Sequence, residues 1–183
     1  MSYQSVFNLL SDISKKININ FVLIGGFALN YYKYARQTLD VDFLITEKDF
    51  EKILPLLESA GYKVESRQDV FARLVFSKGD LLMMDIDFMF VDDGTLAKIL
   101  EDSPATEIAG CRLHVPSLEN LIALKLHALK NNQARRLAKD ISDIINLIII
   151  NRLDAKSDKF KTMCLKYGTL GIYHKILEAC DGD

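Results

Sequence analysis

The apolar residues near the start of the chain alternate between helical spacing and short continuous runs. Residues 3–16 carry apolar side chains three and four positions apart, which predicts an amphipathic helix. Residues 20–24 form a short apolar run that predicts a buried strand, and Gly25 and Gly26 end it. A helical pattern resumes over residues 27–34. The first predicted elements are therefore a helix, a strand, a glycine turn and a second helix.

A second strand and a capped helix are predicted next. Residues 40–45 predict a strand in which two aspartates interrupt apolar positions. Thr46 is a typical helix N-cap, and Gly61 is expected to end the helix that Thr46 begins. Pro55 falls inside this helix and predicts a kink or a split, because proline lacks the amide hydrogen.

The rest of the chain changes character near Pro116. Before it, the pattern predicts strands at 70–77, 81–91, 106–109 and 112–115, a turn at 78–80, and a helix at 95–100. After it, the pattern predicts helices at 117–129, 134–151, 154–167 and 170–179. This order is typical of an α/β (α+β) protein with a mixed sheet backed by helices. We expect a core at residues 1–116 and a C-terminal helical region at 117–183, packed on the core as one compact unit.

Composition narrows the class of protein. The 183 residues are 49% hydrophobic and 26% charged, as in a folded globular protein. The net charge of −2 disfavours a protein that binds nucleic acid mainly through a large excess of positive charge. Three widely spaced cysteines, Cys111, Cys164 and Cys180, form no zinc-type motif and predict reduced thiols. No signal peptide or membrane-spanning run is recognisable, so we expect a cytoplasmic protein with no membrane partner.

Two pairs of acidic residues interrupt apolar strands. Asp40 and Asp42 lie two positions apart, so both carboxylates leave the same face of their strand. Asp85 and Asp87 repeat this spacing in the predicted strand at 81–91. Neighbouring like charges are unfavourable without a cation between them, and carboxylate oxygens suit Mg²⁺ or Mn²⁺. If the two strands are neighbours, the acids predict one cluster that could hold two divalent ions.

Several segments together resemble a known family. IGGFA at residues 24–28, RQTLDVD at 36–42 and DFMF at 87–90 are similar to the nucleotidyltransferases of the polymerase-β superfamily. LIALK at 121–125 and RLAKDISD at 136–143 resemble the AbiEii-type nucleotidyltransferases, the toxin half of type IV toxin–antitoxin systems, and related minimal nucleotidyltransferases. The resemblance covers about residues 18 to 148. It implies a mixed-sheet nucleotidyltransferase fold with a C-terminal helical segment.

The resemblance implies roles for the acidic residues. Asp40 and Asp42 would hold the metal ions. The third acid of the family has two candidates here. Asp87 is favoured because the residues after it match the family's run out of the strand, and Asp85 is the alternative because it shares the same face.

The resemblance also implies contacts with a nucleoside triphosphate. Gly25 and Gly26 would contact the triphosphate through their backbone, although many members of the superfamily have Gly-Ser at this place. Arg36 and Thr38 match the pattern ahead of the acid pair, and Arg36 would hold a phosphate or one of the carboxylates.

The C-terminal basic residues allow two interpretations. In the functional one, which follows from the resemblance, Lys125, Arg136 and Lys139 line the nucleotide cleft, with Asp140 near the active site. In the structural one, the helical spacing of Arg136 to Asp140 and of Lys139 to Asp143 indicates salt bridges within one helix.

The function implied is transfer of a nucleoside monophosphate from a triphosphate to an acceptor hydroxyl, with two Mg²⁺ or Mn²⁺ ions. The acceptor stays open between RNA, a protein and a small molecule, and a cognate antitoxin is an expected partner. Two alternatives remain at this point. One is a non-catalytic nucleotide- or partner-binding module of a toxin–antitoxin system, and the other is a phosphohydrolase with an acidic metal site.

Overall fold

The computed structural model describes residues 3–77, 82–103, 105–131 and 133–181. The strands in these residues are β1 Val22–Ile24, β2 Asp40–Ile45, β3 Tyr62–Gln68, β4 Phe71–Phe76, β5 Asp85–Phe90, β6 Ala105–Ile108 and β7 Cys111–His114. The helices are α1 Val6–Ile17, α2 Gly25–Tyr31, α3 Glu47–Ala60, α4 Asp93–Glu101, α5 Leu118–Asn131, α6 Gln133–Asn151, α7 Asp158–Tyr167 and α8 Leu170–Asp181.

The seven strands form one mixed sheet in the order β3-β4-β5-β2-β1-β7-β6. The pairs β2–β5 and β1–β7 are parallel, and the other neighbours are antiparallel. The predicted α/β architecture with a mixed sheet is therefore confirmed. The central position of β2 places its two aspartates between β1 and β5.

The apolar face of β2 and β5 forms the core beneath helix α3. Phe43 and Phe88 lie on neighbouring strands, are fully buried and stack with ring centroids 6.0 Å apart. Phe50 of α3 packs against Phe88 at 5.3 Å. Because side chains alternate along a strand, Asp40 and Asp42 lie on the face opposite this core. Burial of the aromatic face thus fixes the direction of the acidic one.

The sequence patterns missed one strand and misjudged one helix. Strand β3 was not predicted, because it is an edge strand whose residues are exposed apart from Tyr62. Helix α3 runs without a break through Pro55, so the predicted split is wrong. Pro55 is exposed while Ile53 and Leu57 are buried, so the ring faces solvent and the buried stripe continues. The predicted turn at 78–80 lies outside the described residues.

The chain divides into two compact units. One comprises Met1–Ala28 and Arg36–Ser117 and contains the whole sheet. The other comprises Leu29–Ala35 and Leu118–Asp183 and contains helices α5 to α8. Within the second unit, the Asn151 side chain donates a hydrogen bond to the carbonyl of Tyr32 at 3.3 Å. In the described ranges, none of the helices combines the length and apolarity needed to cross a membrane.

Candidate active site

Strand register brings the two pairs of aspartates together. Strands β2 and β5 run parallel, with Asp40 beside Asp85 and Asp42 beside Asp87. The four side chains point to the same face, because residues two positions apart in a strand share a face. The sequence predicted one acidic cluster on condition that the two strands are neighbours, and β2 and β5 meet this condition.

The glycine turn lies directly against the acid pair. Gly25 has a φ of +64°, and a β-carbon there would lie 1.8 Å from Oδ2 of Asp42. A β-carbon on Gly26 would lie 2.7 Å from the β-carbon of Thr38. Only glycine lets the backbone pass this close to the carboxylate without a clash. The IGGFA segment thus brings main-chain amides next to the acidic face.

Thr38 orients the first aspartate. Its hydroxyl donates to Oδ1 of Asp40 at 2.8 Å, and it also lies 3.2 Å from the Asp40 carbonyl. This leaves Oδ2 of Asp40 directed elsewhere in the cluster. Arg36 belongs to the same unit and is partly buried. The segment before β2 therefore contributes to the geometry of the acids as well as to the sequence motif.

Arg73 of β4 lies within the acidic cluster, and the sequence analysis did not identify it. Its Nη1 donates to both oxygens of Asp87, at 3.1 and 3.2 Å, and its Nη2 donates to Asp85 at 3.1 Å. Nη1 also lies 3.6 Å from Oδ2 of Asp40. Its Nε lies 3.0 Å from a carboxylate oxygen of Glu65. One guanidinium therefore faces four carboxylates.

A signal for Arg73 was present in the sequence but needed the register of the sheet. The strand FARLVF carries a single charge among apolar residues, and a buried charge usually has a partner. Strands β4 and β5 pair antiparallel with Arg73 directly opposite Asp87. The sequence alone does not give the register of these two strands, so the partner of Arg73 followed only from the structure.

The environment of Asp87 shifts its titration. The pKa of Asp87 is raised to about 6: burial is the largest cause, Asp42 and Asp40 also raise it, and Arg73 lowers it. Burial alone would lower the pKa of Arg73, but Asp87, Asp85 and the other nearby carboxylates raise it above its usual value. The cluster thus has more negative charge than its arginine compensates.

The chemistry of the donor set fits a hard divalent cation. Asp40, Asp42 and Asp87 supply carboxylate oxygens from adjacent strands on one face, and Mg²⁺ and Mn²⁺ prefer such ligands. In the described ranges, no three His, Cys, Asp or Glu side chains converge to hold an ion. Thr38 and Arg73 hold several of these oxygens instead.

A second charged cluster lies in the helical unit. Nζ of Lys125 in α5 donates to Asp140 at 3.0 Å and to Asp143 at 2.6 Å, both in α6. The Lys125 side chain is only 11% exposed, and both aspartates are buried. Among the described residues, Oδ2 of Asp140 is buried and has no hydrogen-bond partner.

The structure gives less information on Lys139 and Arg136, two basic residues that were predicted to contact a nucleotide. Lys139 is exposed on α6. Arg136 also belongs to α6, but its side chain lies outside the described part of the structure. The predicted contacts of both residues with a nucleotide stay predictions.

Comparison with known sequences identifies one family. The family described as "Nucleotidyl transferase AbiEii toxin, Type IV TA system" matches residues 9–179. A protein named trigger factor, from Borrelia hermsii (strain HS1 / DAH), is 29% identical over 140 residues, which are 76% of this chain and 29% of that protein. The chain therefore spans less than a third of the length of this curated relative.

Solved structures show the same fold at low sequence identity. The antibiotic-resistance factor ANT(2'')-Ia is 14% identical, with a TM-score of 0.64 over 96% of this chain and 95% of that one. The lincosamide antibiotic adenylyltransferase LnuA is 16% identical, with a TM-score of 0.53 over 77% of this chain and 93% of that one. The likeness confirms the predicted nucleotidyltransferase fold. Together with the sequence match, it establishes that the chain belongs to the AbiEii nucleotidyltransferase toxin family of type IV toxin–antitoxin systems.

Proposed function

We propose that this protein transfers a nucleoside monophosphate from a nucleoside triphosphate to an acceptor hydroxyl, with Mg²⁺ or Mn²⁺ as cofactor. The observation that carries the proposal is the register that places Asp42 beside Asp87, with Gly25 against Asp42. Family membership supports the reaction class, since the family is one of nucleotidyltransferases.

Asp40, Asp42 and Asp87 are the proposed metal ligands. When bound there, the ions would stabilise the negative charge that develops on the phosphate oxygens. Asp87 is preferred to Asp85 as the third acid, because the Asp87 side chain is 14% exposed against 35% for Asp85. Oδ1 of Asp85 also accepts a hydrogen bond from the backbone amide of Phe76, at 3.3 Å, which ties that carboxylate to β4.

The glycine turn is the proposed contact for the triphosphate. Without β-carbons, Gly25 and Gly26 can present backbone amides to phosphate oxygens next to the acids. Arg36 is proposed to add a positive charge for the phosphates, and Thr38 keeps Asp40 oriented. These residues would position the α-phosphate, and positioning supplies much of the acceleration in phosphoryl-type transfers.

Three basic residues of helices α5 and α6 are further proposed ligands of the nucleotide. Lys125, Arg136 and Lys139 are the candidates for neutralising phosphate charge, with Asp140 close to them in sequence. Lys125 already pairs with Asp140 and Asp143. A contact with phosphate would have to replace one of these ion pairs or be made in addition to them.

The acceptor is proposed to be RNA, a protein or a small hydroxylated molecule. The structural neighbour ANT(2'')-Ia was determined in complex with adenylyl-2''-tobramycin, and LnuA is named for lincosamide antibiotics. The family name points instead to a toxin, whose partner would be a cognate antitoxin. One labelling experiment separates these acceptor classes.

The test is transfer of label from α-labelled nucleoside triphosphates, with Mg²⁺ and a fractionated cell extract. We expect label in one fraction with the wild-type protein and none with Asp42→Ala. Asp93→Ala removes the same charge from the exposed first turn of α4 and should label as the wild type does. Full labelling by Asp42→Ala would contradict the proposed mechanism.

Binding of the nucleotide distinguishes the remaining outcomes. No label, with Mg²⁺-dependent nucleotide binding that Asp40→Ala abolishes, would indicate that the extract lacked the acceptor. Neither label nor binding would favour a module that only binds a protein partner.

A further inference from the structure

Arg73 connects two groups of carboxylates that have different proposed roles. Asp87 and Asp40 are proposed metal ligands, and Nη1 of Arg73 faces both of them. Asp85 and Glu65 are not, and they face Nη2 and Nε at 3.1 and 3.0 Å. We call Asp87 and Asp40 the inner pair of acids, and Asp85 on β5 and Glu65 on edge strand β3 the outer pair.

The inner contacts compete with a bound cation. Nη1 of Arg73 engages both oxygens of Asp87, so it occupies part of the lone-pair capacity that a divalent ion would use. A guanidinium and a divalent ion held by the same oxygens would also repel each other strongly in a partly buried site. Arg73 is permanently charged, so its charge cannot be removed by losing a proton.

The outer contacts provide a place for the guanidinium to remain. Glu65 is on edge strand β3 and is largely exposed, and Asp85 has its second oxygen fixed by the backbone of Phe76. Rotation about the side-chain bonds of Arg73 could turn the whole planar guanidinium away from Asp87, so that it pairs only with Glu65 and Asp85. The backbone of β4 need not move, since its ladder with β3 and β5 fixes the Cα atom.

We propose that Arg73 is a resident counter-ion that neutralises Asp87 and Asp40 in the metal-free protein and withdraws to Asp85 and Glu65 when a divalent ion binds. Arg73 thereby sets the affinity of the site for the ion. This inference rests on the proposed function, because it uses the same metal ligands. It concerns affinity for the ion alone, and can fail while transfer activity stands.

The first test measures binding of Mn²⁺ alone, followed through the signal of the free ion in electron paramagnetic resonance. Arg73→Met removes the competing charge and leaves the acids in place. We expect Mn²⁺ to bind at least about tenfold more tightly, because the carboxylates lose their internal partner. The metal-free variant should unfold at a lower temperature, and Mn²⁺ should stabilise it more than it stabilises the wild type. Arg73→Lys, which keeps the charge, should bind Mn²⁺ with an affinity nearer to that of the wild type.

Arg67→Met is the matched control. Arg67 lies on β3, pairs with Glu47 at 2.8 Å and with Glu51, and stacks over Phe50. Losing it removes an arginine with two carboxylate partners from the same sheet, away from the acidic cluster. We expect lower stability with unchanged Mn²⁺ affinity.

A second variant tests the outer contacts without the risk of unfolding the protein. Glu65 is 55% exposed, so Glu65→Gln should fold normally. It weakens the outer position, so Arg73 should stay on Asp87 and Mn²⁺ should bind a few-fold more weakly. In the Arg73→Met background, the same change should have little effect, since no guanidinium remains to be redistributed.

Three results would overturn the proposal. Unchanged or weaker Mn²⁺ binding in Arg73→Met would make Arg73 a structural partner of the acids, and the proposed transfer reaction would stand. Equal effects of Glu65→Gln in both backgrounds would show that Glu65 acts directly on the ion. No Mn²⁺ binding in the wild type or in Arg73→Met would contradict both the counter-ion and the metal-dependent function.

Discussion

At the scale of single residues, the site is governed by an imbalance of charge. Asp87 lies beside Asp42 on the neighbouring strand, and among the described residues Arg73 is the cation that pairs with it. Burial is the larger influence, and it keeps the pKa of Asp87 near 6 despite the arginine. A carboxylate held in this way is costly in the metal-free protein and ready to accept a cation.

The pH dependence of stability should reveal this cost. Burial raises the pKa of Asp87 from 3.8 to about 6 in the folded protein, so the folded state binds this proton more tightly than the unfolded chain does. Stability of the metal-free protein should therefore fall as pH rises from about 4 to 6, by at most about 3 kcal/mol. Urea unfolding of the wild type and of Asp87→Asn across this range would measure it. A fall of the same size in Asp87→Asn would contradict the assignment to this residue.

Two glycines with similar backbone angles should respond differently to substitution. Gly25 and Gly110 have φ values of +64° and +73°, so alanine strains the backbone at both, by about 1–2 kcal/mol. At Gly110 the new methyl group meets nothing within 4 Å, whereas at Gly25 it would overlap the Asp42 carboxylate. Gly25→Ala should therefore cost more stability in urea unfolding and also weaken Mn²⁺ binding. Unchanged Mn²⁺ affinity in Gly25→Ala would show that the close approach to Asp42 is not needed.

The residues of the site were predictable from the sequence to different degrees. Asp40 and Asp42 were found because two charges in a six-residue apolar strand are a local signal. Arg73 was missed because its meaning depends on which residue of β5 it faces, and the pairing of distant strands sets that register. The preference for Asp87 over Asp85 also draws on the structure, since the sequence places both on one face and the Asp87 side chain is the more buried of the two.

At the scale of elements, predictability followed burial. The bounds of strand β2 were predicted closely because its buried face alternates with two charged positions, and those of helix α3 because Thr46 and Gly61 cap its ends. Strand β3 was missed, because an edge strand that buries only Tyr62 shows no alternation. Its backbone bonds to β4 hold it in the sheet, and such bonds leave no trace in the pattern of side chains.

Helices α5 and α6 are joined by a buried ionic cluster whose balance can be tested. Lys125 compensates two buried aspartates, Asp140 and Asp143. Lys125→Met should destabilise the protein by about 3–5 kcal/mol, because it leaves buried carboxylates without their cation. Thermal unfolding of Lys125→Met and of the triple variant with Asp140→Asn and Asp143→Asn measures this. The triple variant should recover part of the loss, and no recovery would mean that Lys125 acts mainly through packing.

At the scale of the whole molecule, family membership and the acidic face of the sheet support the same conclusion. The family match covers residues 9–179, so it includes both the sheet with its carboxylates and the C-terminal helices. A domain kept only as a scaffold would have no need for four aspartates on one face of two central strands. The retained cost of these charges is an argument for a bound cation and, through it, for a nucleotide.

Because the neighbouring carboxylates repel one another, Asp42→Asn should have opposite effects on the stability of the chain without and with ligand. Asp42→Asn removes one of the repelling charges, so without ligand the protein should unfold at an equal or higher temperature than the wild type. With Mg²⁺ and a nucleotide analogue at about 100 times the dissociation constant, the wild type should gain about 2.7 kcal/mol, or about 5–10 °C. Asp42→Asn should gain almost nothing, and chelation of the metal should abolish the gain of the wild type. Thermal unfolding of both proteins with and without the ligand, and of the wild type after chelation of the metal, measures both effects. Equal gains in the two proteins would remove Asp42 from the site.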